Sequence, residues 1–301
     1  MKPPKPIGVT ASVLARLLTR SKERGEDYQL TLICYAVERL LYRLSLSSHR
    51  DAFVLKGAML FTLWADEPFR ATGDLDLLGF GSPVGERVKA VFRDLAAVSV
   101  DDDGITFDMS DLRVEDMQGR DEDKGVRLSF IAKMGNVRIS MKVDVGFGDV
   151  VTPGPIELDY PAMLDMPTAK VRAYPVETVI AEKFQAMVEL GMRNSRMKDF
   201  FDLWAIATTL DVDGAALASA LEATFAKRET EVPTSPPLAL TAEFVEDAAK
   251  QTQWSAFIRR TTTTHSPASL NEAVELISKL VMPAATAVTT GQTWRAGGPW
   301  S

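Results

Sequence analysis

The sequence predicts an α+β fold: a small mixed sheet near residues 50–160, helices ahead of it and a helical part behind it. Three observations carry this. Apolar residues recur at spacings of three and four in SVLARLLTRSKERGE and DYQLTLICYAVERLLYRLSLSS, as on amphipathic helices. DLDLLGF and VRLSFIAKMGNVRISMKVDVGFG alternate polar and apolar, as half-buried strands do. From Thr178 onward the period is helical again.

The elements follow in order. The first ten residues hold three prolines and read as a loose lead-in; MKPPKPIGVT lacks the apolar core of a secretory signal. Val13, Leu14, Leu17 and Leu18 mark the inner face of a first helix, and Leu30, Ile33, Val37, Leu40, Leu41 and Leu44 that of a second. AFVLKGAMLFTLW reads as a short strand or loop entering a helix at Gly57. VGERVKAVFRDLAAV is an amphipathic helix, and Gly135-Asn136 turns a hairpin. ETVIAEKFQAMVEL is a helix ended by Gly191, and KDFFDLWAIATTL is the next. KRETEVPTSPPLALT is a Pro/Thr-rich loop, and the small, polar residues after Pro283 suggest a mobile tail. The expected organisation is a catalytic core with N-terminal helices over 1–165, a helical C-terminal domain over 166–285 completing the cleft, and a disordered tail over 286–301.

Composition narrows the function classes. No apolar run approaches the ~20 residues that span a bilayer, so no membrane role is expected. Cys34 is the one cysteine, which excludes an intramolecular disulfide and a cysteine metal site; in LTLICYAV it reads as a small buried hydrophobe. A cytoplasmic location follows. The net charge is −7, but Met1–Lys56 carries ten Lys/Arg against five Asp/Glu, leaving −12 for the rest. That basic segment could meet RNA phosphates or be a set of solvated helix faces.

The residues that could carry chemistry begin with Asp74 and Asp76. Two apart in a strand, they share a face, with Leu75 and Leu77 on the other. Paired carboxylates repel unless a cation sits between them, and Mg²⁺ is commonly held by one or two carboxylates plus substrate phosphates. A polar strand edge is the plain alternative. Asp144, on the face of Arg138, Ser140 and Lys142 in RISMKVDVG, could be a third ligand if its strand neighbours that of Asp74, or a solvent-facing strand end. Lys56-Gly57 joins an extended segment to a helix, where a phosphate could approach the backbone and a lysine charge. Lys183, between Ile180 and Met187, is either a snorkelling lysine or a charge aimed at an anionic substrate; on the second reading its loss harms NTP use more than folding. Arg196, Asp199 and Asp202 follow at spacings of three on one helical face. They form an intrahelical ion pair or an acidic pair orienting Lys183 or a substrate hydroxyl.

Taken together, VLKGAMLFTLW, FRATGDLDLL, KVDVGFGD, IAEKFQAM and RMKDFFDLW resemble the AbiEii/AbiGii toxin family of nucleotidyltransferases, distant relatives of the DNA polymerase beta superfamily. ERLLYRLSLSSHRDAFVLKGA extends the resemblance to roughly residues 10–285. It implies that Lys56, Gly57, Asp74 and Asp76 form the nucleotide and metal site. It makes Lys183, Arg196, Asp199 and Asp202 essential, with Lys183 and Asp202 catalytic, and matches Thr72 to a hydroxyl residue before the acidic pair. The chain departs from the pattern in having Gly57-Ala58 where the superfamily prefers Gly-Ser, and Gly73 where family members often carry Lys or Arg. The implied function is a toxin of a bacterial toxin–antitoxin system, associated with phage defence. Its implied reaction is Mg²⁺-dependent (or Mn²⁺-dependent) transfer of a nucleoside monophosphate from an NTP to an acceptor, the tRNA 3′ end or another RNA. The implied partner is a separately encoded antitoxin. Two alternatives stay open: a non-catalytic GTP- or NTP-binding protein on the same scaffold, and an aminoglycoside-type enzyme acting on a small cation.

Overall fold

The computed structural model describes residues 8–64, 72–117, 125–261 and 265–301. They group into two compact units. The first takes the described residues of Met1–Leu63 and Thr72–Gly148, with Glu157–Ala173. The second takes Trp64, Asp149–Ile156 and the described residues of Tyr174–Ser301.

The first unit is the sheet unit. Helix α1 (Val9–Arg24) ends at Gly25, whose φ of 65° lets its N–H turn back to the Lys22 carbonyl. Asp27 caps α2 (Tyr28–Leu46), its side chain accepting from the Leu30 N–H at 2.8 Å. Seven strands follow: β1 (Phe53–Lys56), β2 (Asp74–Gly79), β3 (Thr106–Met117), β4 (Gly125–Met134), β5 (Val137–Phe147), β6 (Ile156–Tyr160) and β7 (Ala169–Ala173). They form one mixed sheet in the order β3-β4-β5-β2-β1-β7-β6. β2 runs parallel to β5 and β1 parallel to β7; β1–β2, β3–β4 and β4–β5 are antiparallel. Leu55, Leu75, Leu77, Leu128, Phe130, Val143 and Val145 are buried. On that side lies helix α4 (Gly85–Ala97), whose Phe92 ring meets Phe53 and Phe130 at centroid distances of 6.1 and 6.3 Å.

The sequence expectations meet this sheet in several ways. The alternation in DLDLLGF, the helix at VGERVKAVFRDLAAV and the hairpin at Gly135-Asn136 are as read. The helix expected at Gly57 begins later: Gly57 stands at φ 74°, outside the right-handed helical region, and a 3₁₀ turn (Gly57–Leu60) leads into α3 (Phe61–Trp64). The expected boundary at 165/166 falls ahead of β7, which the sheet takes as a parallel partner of β1.

The basic N-terminal segment is neither a phosphate surface nor a solvated face at two of its arginines. Arg43 is buried and grips Asp103 with both terminal nitrogens, at 2.7 and 3.1 Å. Arg39 is buried beside Glu38 at 2.7 Å, and the Glu38 carboxylate also accepts from the Met163 N–H. These charges fasten α2 to the loops around it. Cys34 is half-buried, and burial together with Glu26 and Glu38 pushes its thiol up to about 11. It stays neutral at physiological pH.

The second unit is helical: α5 (Val176–Leu190), α6 (Met197–Thr209), α7 (Gly214–Lys227), α8 (Ala242–Glu246), α9 (Ala248–Ile258) and α10 (Leu270–Ala285), with a two-stranded ribbon of β8 (Val212–Asp213) and β9 (Thr293–Trp294). The expected disordered tail is built into this unit. Trp294 is 1 % exposed and donates its indole N–H to the Ala207 carbonyl at 2.8 Å, and Trp300 packs edge-on against it. Composition misleads here because the glycines and threonines of the segment outnumber the two tryptophans that anchor it. No helix among the described residues is long and apolar enough to cross a membrane.

Candidate functional site

On the sheet unit, strand register assembles a row of charges. Lys56 stands opposite Asp76, Asp76 opposite Asp144, and Asp144 opposite Arg127. Opposed residues share a face, so these side chains emerge on the side away from the buried leucines and valines. Asp74 lies on the same face, opposite Lys142, and is exposed, whereas Asp76 is half-buried. The sequence-derived pair thus projects as expected, and Asp144 joins its face.

Two details define the chemistry of this face. The first is Gly57. A Cβ built on it would lie 2.1 Å from the Asp76 Oδ2, so the absence of a side chain is what lets the Asp76 carboxylate occupy its place. The second is Arg127. It donates from Nε to Asp144 Oδ1 at 2.7 Å and from Nη2 to Oδ2 at 2.6 Å, a bidentate pair that takes both carboxylate oxygens. Asp144, expected as a third metal ligand, is here paired with a guanidinium. Among the described residues no three His, Cys, Asp or Glu gather closely enough to hold a metal ion. Asp74 and Asp76 together still match the one- or two-carboxylate donor set that Mg²⁺ takes when phosphates and water complete its shell. The half-buried Thr72 lies two residues ahead of Asp74, and its carbonyl is 3.9 Å from the Cys34 sulfur.

Arg127 escaped the sequence reading, although a signal existed. Counting back symmetrically from the two-residue Gly135-Asn136 turn pairs Arg127 with Asp144. Its pair is partly exposed, so Arg127→Ala should cost less than about 1 kcal/mol. If Asp144 can serve a cation at all, the same change should raise Mg²⁺ affinity in calorimetry. Unchanged affinity would leave Asp144 outside the metal site.

Gly57→Ala is expected to behave differently. A left-handed conformation costs a non-glycine residue roughly 1–2 kcal/mol, and the new methyl must displace the Asp76 carboxylate. Nucleotide use should fall more than thermal stability does. A variant with normal activity would show that the Asp76 position is not critical.

On the helical unit, the other residues converge independently. Lys183 on α5 donates to Asp199 Oδ1 at 2.7 Å and to Asp202 Oδ2 at 2.9 Å, both on α6. Arg196 approaches Asp199 Oδ2 through Nε at 2.8 Å. Asp199 and Asp202 are buried, and the Lys183 side chain is 15 % exposed. Burial by itself would lower the lysine pKa, but the two carboxylates outweigh it and hold the ammonium above its ordinary value. Both sequence readings of the segment are therefore realised: an Arg196–Asp199 pair within the turn, and an acidic pair that fixes Lys183. Asn194 braces the start of α6, accepting the Arg196 N–H on its side chain and the Lys250 ammonium on its carbonyl, each at 2.8 Å.

Comparison with known proteins bears on the whole set. The sequence model of the nucleotidyl transferase AbiEii toxins of type IV toxin–antitoxin systems matches residues 39–276, a span containing Lys56, Gly57, Thr72, Asp74, Asp76, Arg127, Asp144, Lys183, Arg196, Asp199 and Asp202. The chain belongs to the AbiEii family. No curated protein matches the AbiEii-family chain by sequence. Solved structures similar to it include an H. pylori protein provisionally described as a nucleotidyltransferase, 13 % identical, covering 83 % of this chain and 90 % of that one, with a TM-score of 0.46. Another is JHP933 from Helicobacter pylori, also 13 % identical, covering 83 % of this chain and 92 % of that one, with a TM-score of 0.43. As a nucleotidyltransferase of a type IV system, the AbiEii-family chain has an antitoxin as its counterpart.

Proposed function

We propose that this AbiEii-family toxin transfers a nucleoside monophosphate from an NTP to the 3′ end of an RNA, tRNA being the leading candidate, and that it does so with Mg²⁺ in the cytoplasm. One observation carries the reading. Asp74 and Asp76 share one face of β2, Lys56 stands opposite Asp76, and Gly57 leaves room against the Asp76 carboxylate. A protein that only presents a surface has no use for paired like charges kept beside a position that strain and the Asp76 carboxylate close to every residue but glycine. Asp74 and Asp76 would hold the cation, which supplies charge neutralisation at the phosphates when bound. Lys56 adds a positive charge for the same phosphates. In the reaction an acceptor hydroxyl oxygen bonds to the α-phosphorus, the bond to the bridging oxygen breaks, pyrophosphate leaves and the hydroxyl proton passes to solvent.

The test is incubation of the full chain with each labelled NTP, total RNA and Mg²⁺. Label is expected on RNA 3′ ends with one or a few NTPs, and none with chelator present. NTP binding without transfer to any RNA would favour the non-catalytic binder instead. In a parallel incubation with an aminoglycoside in place of RNA, label on that small cation would favour the aminoglycoside-type reading.

A further inference from the structure

The helical unit contains a second feature that the charge row does not use. A cavity of about 590 Å³ opens between the start of α6 and the end of α9. Arg196, Lys198 and Arg260 line it, and among the described residues no acidic side chain does. Lys198 and Arg260 are exposed, and neither side chain has a bonding partner among the described residues. Arg196 spends its Nε on Asp199 while half of its side chain remains exposed, which leaves further guanidinium donors for a ligand. The charge argument rests on these side chains. The N-terminus of α6 adds positive dipole to one wall, and the C-terminus of α9 subtracts a similar amount at the other.

Two further groups distinguish the ligand from a simple anion. The Oε1 of Gln253, in the cavity wall, is buried and accepts no hydrogen bond among the described residues. An unpartnered side-chain amide of this kind needs a polar partner, which a base edge or a ribose hydroxyl supplies. Phe257 lines the same cavity, its ring packed against Phe201 at 5.6 Å and Trp254 at 6.0 Å. Cations for phosphate, an unpartnered amide for a base edge or ribose hydroxyl, and an aromatic ring for stacking together fit nucleotide units of a single strand.

We propose that this cavity receives single-stranded nucleotides of the RNA acceptor. The inference rests on the transferase reading above, which already assigns the cation to Asp74 and Asp76 and the NTP phosphates to Lys56. Through Arg196 and Asp199 the cavity connects to Lys183, so an occupied pocket bears directly on that ion cluster.

The experiment compares the full chain with a Lys198→Glu/Arg260→Glu variant. Both positions are exposed, so folding should be retained. The probes are a fluorescent single-stranded RNA oligonucleotide, followed by anisotropy over a salt series, and each NTP with Mg²⁺, followed by calorimetry. RNA binding should weaken by at least about tenfold near 0.1 M salt, and the salt dependence should become shallower by about two charges. NTP binding should be unchanged. Gln253→Leu, which leaves all charges in place, should weaken RNA binding without altering its salt dependence.

RNA affinity and salt slope equal to wild type in the double variant would overturn the assignment. NTP and RNA binding lost in parallel would do so too, making the cavity the site of a free nucleotide. Should wild type bind the RNA and the variant not, while no NTP is ever transferred, the cavity stands and the transferase reading falls. A wild type that neither binds nor labels RNA removes both.

Discussion

Asp76→Asn should abolish nucleotide transfer while leaving the fold in place. The amide keeps the shape that fits against Gly57, where any larger change would collide, since that glycine already lies against the carboxylate. What disappears is one negative charge beside Asp74, and with it half of the carboxylate pair proposed to hold Mg²⁺. Phosphoryl-transfer enzymes depend on positioning and on neutralising developing charge, so transfer should fall by on the order of a hundredfold or more. Stability should move little. Asp76 lies between Lys56 and Asp144 in the sheet register, and the Asp144 charge is already matched by Arg127. Losing the attraction to one side is offset by relief of repulsion from Asp74. Magnesium titration by calorimetry, transfer to RNA and growth of a bacterial host lacking an antitoxin give three readouts. Wild type should arrest growth and the variant should not. A variant as toxic as wild type, still labelling RNA, would remove the Asp-x-Asp from the metal site.

How legible these features are depends on whether they are set by neighbours in sequence or by packing. Asp74 and Asp76 against Leu75 and Leu77 follow from the two-residue period of a strand, and the structure keeps that pattern. The Arg196–Asp199 pair follows from the helical period. The link from Lys183 to Asp202 depends on how α5 lies against α6, and no spacing specifies that. β3 was missed because a register shift between Asp108 and Arg113 breaks its alternation. β6 and β7 are five residues each, too short for a period to declare itself. The buried arginines of α2 look like surface charge in a tally and are recognisable only once Asp103 and Glu38 are seen against them.

Lys183 is where the structure changes an expectation most. From sequence, its loss should harm NTP use more than folding. In the fold it neutralises two buried carboxylates, and removing one member of a buried ion cluster typically costs about 3–5 kcal/mol. Lys183→Met should therefore lower the melting temperature by on the order of 10 °C near neutral pH. The pH dependence has a definite sign. The folded lysine titrates above its ordinary value of 10.5, so its stabilisation is fully present below that value and is lost as pH rises through the folded pKa. The gap between wild type and variant should be constant from pH 7 to 9 and narrow above about 10.5. A companion variant separates structure from chemistry. Lys183→Met combined with Asp202→Asn removes a charge of each sign and should recover much of the lost stability, since a neutralised buried pair is often no less stable than the ionic one. If the double variant melts near wild type and still fails to bind NTP or transfer nucleotide, the Lys183–Asp202 pair acts in the reaction. If transfer returns along with stability, the role of Lys183 is confined to holding α5 on α6.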